Sequence, residues 1–257
     1  MELTKEDIKR GLRKLELKKG DVVLVHSSLS SFGYVVGGAN TVIDALLETV
    51  GHKGTVVVPT LTGSEKLSVS NPPIFDPENT PCWTGKIPET FRRRKEAIRS
   101  LHPTHSVAAI GEKAKYLTKD HGRKSMTPLG EDSPYGKLAK LDNSYILFLG
   151  VTLDCCTMFH YVEEVANVSY HMQKEFVEAK IIKNGKTKKV KIKIHAYGIP
   201  RNFTRMGPKF IKTGIMRLGT IGNSTVRLVK AKNMVDLTLR ALKRNSKILL
   251  ANEEKQN

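Results

Sequence analysis

Two short, uninterrupted apolar runs, VVLVH (22–26) and TVVVPT (55–60), constrain this chain more than any other feature. A strand buried on one face alternates apolar and polar residues, whereas a continuous run has to be covered on both faces. Between them lie a loop of small residues, SSLSSFGYVVGG (27–38), and a helical pattern, NTVIDALLETV (40–50), closed by Gly51 and Gly54. Strand, loop, helix, strand is a βαβ signature and predicts an α/β protein. YILFLG (145–150) adds a third apolar strand, and SVAAI (106–110) a shorter one.

The remaining segments fit that frame. Thr4 is placed to cap a helix carrying Ile8, Leu12 and Leu15 at helical spacing, with Glu6 and Asp7 in its first turn. Residues 61–85 are rich in Gly, Pro, Ser and Asn without periodicity, and a loop of that length often serves as an active-site rim. IPETFRRRKEAI (87–98) predicts a helix with Pro88 near its start, and 112–144 a helix followed by a loop. Alternation of Lys with Ile or Val around Asn184-Gly185 predicts a hairpin over 175–198, and 213–245 reads as a strand then a helix. There are no repeats or linker, so one domain over 1–257 is expected.

Lys and Arg number 43 against 25 Asp and Glu, a net charge of +18. Such an excess suits an anionic partner (nucleic acid, membrane phosphate or a polyphosphate cofactor) or nothing beyond a basic, soluble surface. No aromatic residues interleave with the lysines of the 175–198 segment, which disfavours a nucleic-acid stacking platform. Cys82, Cys155 and Cys156 form neither a disulfide framework nor a zinc pattern. The charged N-terminus lacks the apolar core of a signal peptide, and no apolar run approaches the ~20 residues needed to span a bilayer. A cytoplasmic location and no membrane partner are the expectation.

Three segments carry candidate chemistry. In LGVTLDCCTMFHYVEE (149–164), His160 and Glu163 share a helix face at i, i+3. A carboxylate on one imidazole nitrogen fixes the tautomer and leaves the other as a base. Thr157, one turn earlier, falls on the same face and could also cap the helix, leaving backbone N–H groups near a developing oxyanion. HxxE is equally what an ordinary solvated helix can carry. HSSLSSFGYVVGG (26–38) sets hydroxyls and glycines between a strand and a helix start, where phosphate or amide groups can approach; a glycine-permitted turn reads the same way. It matches neither the Walker A nor the dinucleotide pattern. His102 and His105 in HPTHS lack a carboxylate or cysteine at metal-ligand spacing, nothing local activates Cys155 or Cys156, and GxSxG is absent.

Taken in order, VHSSLSSFGYVVGG, GTVVVPT, FDPENTP, RSLHPTHSVAAIG, LGEDSPYGKL and LGVTLDCCTMFHYVEE resemble the successive motifs of the aminoglycoside 3-N-acetyltransferase family, from about Lys5 to Asp236. The resemblance implies an α/β/α sandwich around a central mixed sheet with a C-terminal β-hairpin extension, acetyl-CoA as donor, a small-molecule amine as acceptor, and no metal. It implies His160, Glu163 and Thr157 as the catalytic group. His26, Ser27, Ser28, Ser30, Ser31, Gly37 and Gly38 match the cofactor-contacting segment, with Ser106 flanking the pantetheine arm. Glu131, Asp132, Asp154 and Glu164 are the acids available to substrate ammonium groups on this basic chain. EVANVSYHM (164–172) lacks the proline common after the histidine helix, and the lysine-rich hairpin falls where the acceptor side is shaped, so the amine could be an aminoglycoside or another, possibly anionic, one.

Overall fold

The computed structural model describes residues 2–122 and 126–251. Its strands are β1 (Val22–Ser27), β2 (Thr55–Pro59), β3 (Ile74–Phe75), β4 (Ile98–Arg99), β5 (Val107–Gly111), β6 (Ser144–Leu149), β7 (Met172–Lys183), β8 (Lys186–His195), β9 (Met216–Ile221) and β10 (Ser224–Lys230). Its helices are α1 (Lys5–Lys14), α2 (Gly38–Val50), α3 (Lys86–Arg92), α4 (Ala114–Thr118), α5 (Pro134–Ala139), α6 (Thr157–Val165), α7 (Gly207–Lys212) and α8 (Ala231–Arg244). Thr4 caps α1 through a reciprocal pair with Asp7.

Seven strands form the main sheet in the order β4-β5-β2-β1-β6-β10-β9. β1 runs parallel to both β2 and β6, and the outer pairs are antiparallel. The continuous apolar runs are explained by the two cores. Val22 and Leu24 of β1 join Val57, Ile146 and Phe148 under α5, α6 and α8. Val23 and Val25 face the other way, with Val56, Val58, Leu147 and Leu149, under α1, α2 and α3. Each wholly buried Val or Leu contributes about 1.5–3 kcal/mol, so both faces are sealed by the same residues that form the strands. This is the mixed-sheet α/β architecture expected, with a smaller sheet, β3-β7-β8, beside it.

Two sequence expectations change. The helix at 87–98 stops at Arg92, because after Phe91 the chain offers Arg, Arg, Arg, Lys and Glu and nothing apolar to bury. The single strand expected ahead of the helix within 213–245 is a hairpin, β9 and β10, turned at Gly222, whose φ is +55°. The Asn184-Gly185 turn forms as expected, with φ of 51° and 71°, the pairing a tight type I′ turn requires. No helix among the described residues is long and apolar enough to cross a membrane.

Candidate active site

β1 is the switch point of the sheet: the chain leaves β1 for α2 on one face and β6 for α6 on the other. Crevices for ligands open at the carboxyl ends of parallel strands at such a point. A cavity of about 420 Å³ lies there, lined by His26 and Ser27 from the end of β1, Pro59 from β2 and Val151 beyond β6. Trp83, Thr84 and Gly85 supply another wall, so the long 61–85 loop is a rim. It is pinned by Trp83 Nε1 donating to Gly63 O (2.9 Å) and by Thr84 Oγ1 donating to Pro59 O (2.7 Å). Gly85, at φ +112°, lets the chain pass over Ser27 and also borders a second cavity of about 590 Å³. Ser27, Ser28, Ser30, Gly38 and Lys86 line this second space, which adjoins the first through Ser27 and Gly85.

α6 closes the inner end. Met158, Phe159 and Val162 bury one stripe of it, leaving His160 and Glu163 on the adjoining face. His160 Nδ1 lies 2.7 Å from Glu163 Oε2; the imidazole side chain keeps 22% exposure and borders the first cavity, while the carboxylate has 0%. A carboxylate so buried needs donors. Its donors among the described residues include His160, His171 Nδ1 at 3.2 Å and Arg201 Nε at 3.3 Å. Burial alone would raise the Glu163 carboxyl, but the two histidine hydrogen bonds and the charge of Arg201 outweigh it and hold it well below the usual range. Burial lowers His160 and Glu163 only partly offsets this, so the ring is neutral near pH 7. His171 goes the other way: burial opposes its charge, but Glu163 and Glu164 prevail and raise it.

The profile of the aminoglycoside 3-N-acetyltransferase family matches residues 24–243, nearly the whole chain. This protein belongs to that family. The aminoglycoside N(3′)-acetyltransferase-like protein YokD of Bacillus subtilis is 34% identical over 91% of this chain and 90% of its own length. The crystal structure of AAC-IIIb with CoASH superposes with a TM-score of 0.81 at 27% identity, covering 95% of this chain and 97% of that one. A mutant of AAC(3)-IVa in complex with a gentamicin gives 0.83 at 28%, over 99% and 93%. At the family level the chain is an AAC(3)-like acetyltransferase.

Among the cofactor-segment residues, His26, Ser27, Ser28, Ser30 and Gly38 border the two cavities. Ser31 does not: its hydroxyl donates to Ser28 O (2.7 Å) and meets that of Ser224, tying the loop after β1 to β10. Gly37 starts α2 at φ +77°, and Ser106 is sealed between Thr60 and Arg99, joining β5 to β2; neither lines a cavity. Thr157 borders the first cavity, but as the first residue of α6, the cap position falling to Cys156. Of the four acids, Asp154 alone borders it, and its carboxylate already holds Phe203 N (2.8 Å) and Thr204 Oγ1 (2.6 Å). Glu131 is exposed beside Lys140, Asp132 is exposed, and Glu164 accepts from Leu129 N and lines neither cavity. Cys156 is buried and its thiol pushed up to about 12, whereas Cys155 is exposed at the cavity. Sequence reasoning missed Arg201, His171 and His195. They flank the hairpin, far from His160 in sequence, and no local spacing marks them.

Proposed function

We propose that this protein transfers the acetyl group of acetyl-CoA directly to an amino group of an aminoglycoside or a similar polyamine held in the same complex. The carrying observation is His160: one nitrogen is fixed by buried Glu163 and the ring opens on the cavity at the ends of β1 and β2. With Nδ1 committed, Nε2 is the nitrogen left to accept a proton from the attacking amine. The amine nitrogen adds to the thioester carbonyl, His160 holds the released proton, and collapse breaks the C–S bond; the departing thiolate recovers that proton as CoA thiol. Glu163 keeps the tautomer and offsets the imidazolium that forms. Thr157, at the first turn of α6, lies on the side where the oxyanion develops, next to helix-start N–H groups that have no intrahelical acceptor.

The second cavity suits the donor's long arm. His26 Nε2 and the Ser27 hydroxyl are buried and lack hydrogen-bond partners among the described residues, and both face the route an amide-bearing chain would take. Burial lowers His26 to about 3, so it serves as a neutral hydrogen-bonding group. Lys86 at the outer rim supplies charge for phosphate. For the acceptor, the described lining of the first cavity contains Asp154 and neither Lys nor Arg, despite the chain's +18. That local balance favours a cationic amine over an anionic one, in keeping with a gentamicin on AAC(3)-IVa and sisomicin on AAC-VIa.

The test is thiol release from acetyl-CoA with a panel of aminoglycosides, polyamines and anionic amines. Release with cationic amines is expected, and His160→Ala should lower kcat by roughly 10²–10⁴-fold, the span of general acid–base catalysis. No release with any amine, or full activity in the variant, overturns the reading.

A further inference from the structure

His160, His171 and His195 converge from three elements: α6, the turn before β7 and the end of β8. One ring nitrogen from each can be chosen so that all three lie within 4.8 Å of one another. Ring centroids are 4.5 Å apart for His160 and His195, 4.8 Å for His171 and His195, and 5.8 Å for His160 and His171. Two of these rings, at 1% and 5% exposure, carry nitrogens without a hydrogen-bond partner among the described residues: His171 Nε2 and His195 Nδ1. Leaving such groups unpaired is costly, so buried polar atoms of this kind ask for a ligand.

We propose that His160, His171 and His195 form a binding site for a divalent transition metal of the Zn²⁺ or Co²⁺ class. Three imidazoles with one position open to a cavity is a donor set that suits these borderline ions, and the openness of His160 to the first cavity supplies the entry path. Charge favours it: Glu163 offsets Arg201, and Glu164 Oε2, 3.7 Å from His171 Nε2, adds a second negative group. Closing the site needs small ring rotations, since ligand nitrogens around one ion sit nearer than 4.8 Å. The ion would occupy the very ring that acts as base, so it blocks acetyl transfer; this last consequence, unlike the binding itself, rests on the function proposed above.

The experiment is Co²⁺ titration of tag-free, chelator-treated protein, without CoA, followed by visible ligand-field absorption. One equivalent should bind, and His195→Ala and His171→Asn should each weaken binding by roughly 100-fold or more, since even second-sphere partners of metal ligands are worth 10–100-fold. Circular dichroism of the metal-free variants checks that they fold. In case they do not, wild type alone gives the answer: Co²⁺ should displace the ring-proton resonances of three histidines and, as an inhibitor, be reversed by chelation. No saturable absorption, binding that survives both substitutions, or displaced resonances belonging to His102, His105 and His121 overturns the site. Metal-free acetyl transfer by the wild type, measured in parallel, tests the proposed function independently of any metal, so the two readings fail separately.

Discussion

Two groups of histidines lie side by side in this protein, and a buried carboxylate touches only one of them. His102, His105 and His121 are buried beside β4 and β5, with no carboxylate against them among their described contacts. His121 Nε2 donates to Pro128 O (2.9 Å) and its Nδ1 meets the Ser100 hydroxyl (2.9 Å); His102 Nδ1 accepts from the backbone of His105 (3.2 Å). Burial drives all three down, His121 to about 3, so they act as neutral, hydrogen-bonded packing groups. One ring away, His105 touches His195 edge-on at 5.9 Å, and there the second group begins. Its difference is Glu163. One carboxylate gives His160 a fixed tautomer, raises His171 and turns the same residue type into a candidate base. What separates the two groups is which histidines a buried charge reaches.

The largest effect should follow from removing that charge. Glu163→Gln keeps the shape but leaves His160 without its anion and Arg201 buried beside a neutral amide. The expected loss in kcat is roughly 10²–10⁴-fold, as for loss of a general base. Stability should fall as well, by up to about 3–5 kcal/mol, the cost of breaking a buried ion pair from one side. Thiol-release kinetics and denaturant melts measure the two. A variant that keeps full kcat would make the two histidine groups equivalent and remove the basis of the contrast.

Arg201→Met is the sharper probe of the same point. Glu163 keeps its two histidine donors, so stability should drop by about 2 kcal/mol, within the 1.5–3 kcal/mol typical of hydrogen bonds to charged groups. The pH dependence gives the sign. Glu163 is depressed below 4.5 in the folded state, so its contribution is present above the unfolded pKa and lost as pH falls through the folded one. Without Arg201 the folded value rises, so acid unfolding and the acid loss of activity should both begin at higher pH. Melting curves across an acid series settle it; an unmoved acid limb means Arg201 only packs.

Much of this architecture was legible because local patterns carry it. The apolar runs of β1, β2 and β6 announced a sheet buried on both faces, and HxxE put His160 and Glu163 within reach by helix geometry alone. The hairpin turn at Asn184-Gly185 was equally plain. What stayed hidden depends on distant chain meeting: Arg201 reaches Glu163 across 38 residues, from the other side of a hairpin, and His195 meets His160 from the end of that hairpin. The positions of two of the acids were hidden for a related reason. Glu131 and Asp132 sit beside motif residues in sequence, yet the turn into α5 leaves them exposed outside both cavities. Ser31 and Gly37 belong to a motif string whose neighbours face the cavities, while they hold the backbone that presents those neighbours; Ser106 belongs to a string that lines neither cavity. A motif marks a segment; only the folded register tells which of its side chains points where.

The smallest effect tests the neutral group. A histidine whose folded pKa is lowered refuses the proton that the unfolded chain accepts, so stability is lost as pH falls below the ordinary value of 6.5 toward the folded value of about 3. Each such group contributes at most about 1.4 kcal/mol per pH unit over that window. His121→Gln cannot titrate, so its stability between pH 6.5 and about pH 5 should decline by about 1.5 kcal/mol less than wild type, with little change in kcat. His171, being raised, has the reverse sign: its contribution is present below 6.5 and fades as pH climbs through the folded value. His171→Gln should therefore narrow the gap to wild type on the alkaline side, where His121→Gln leaves it unchanged. Denaturant titrations at matched pH values would show the two slopes side by side. Equal slopes would mean that Glu163 does not divide these histidines, and that their burial alone governs both groups.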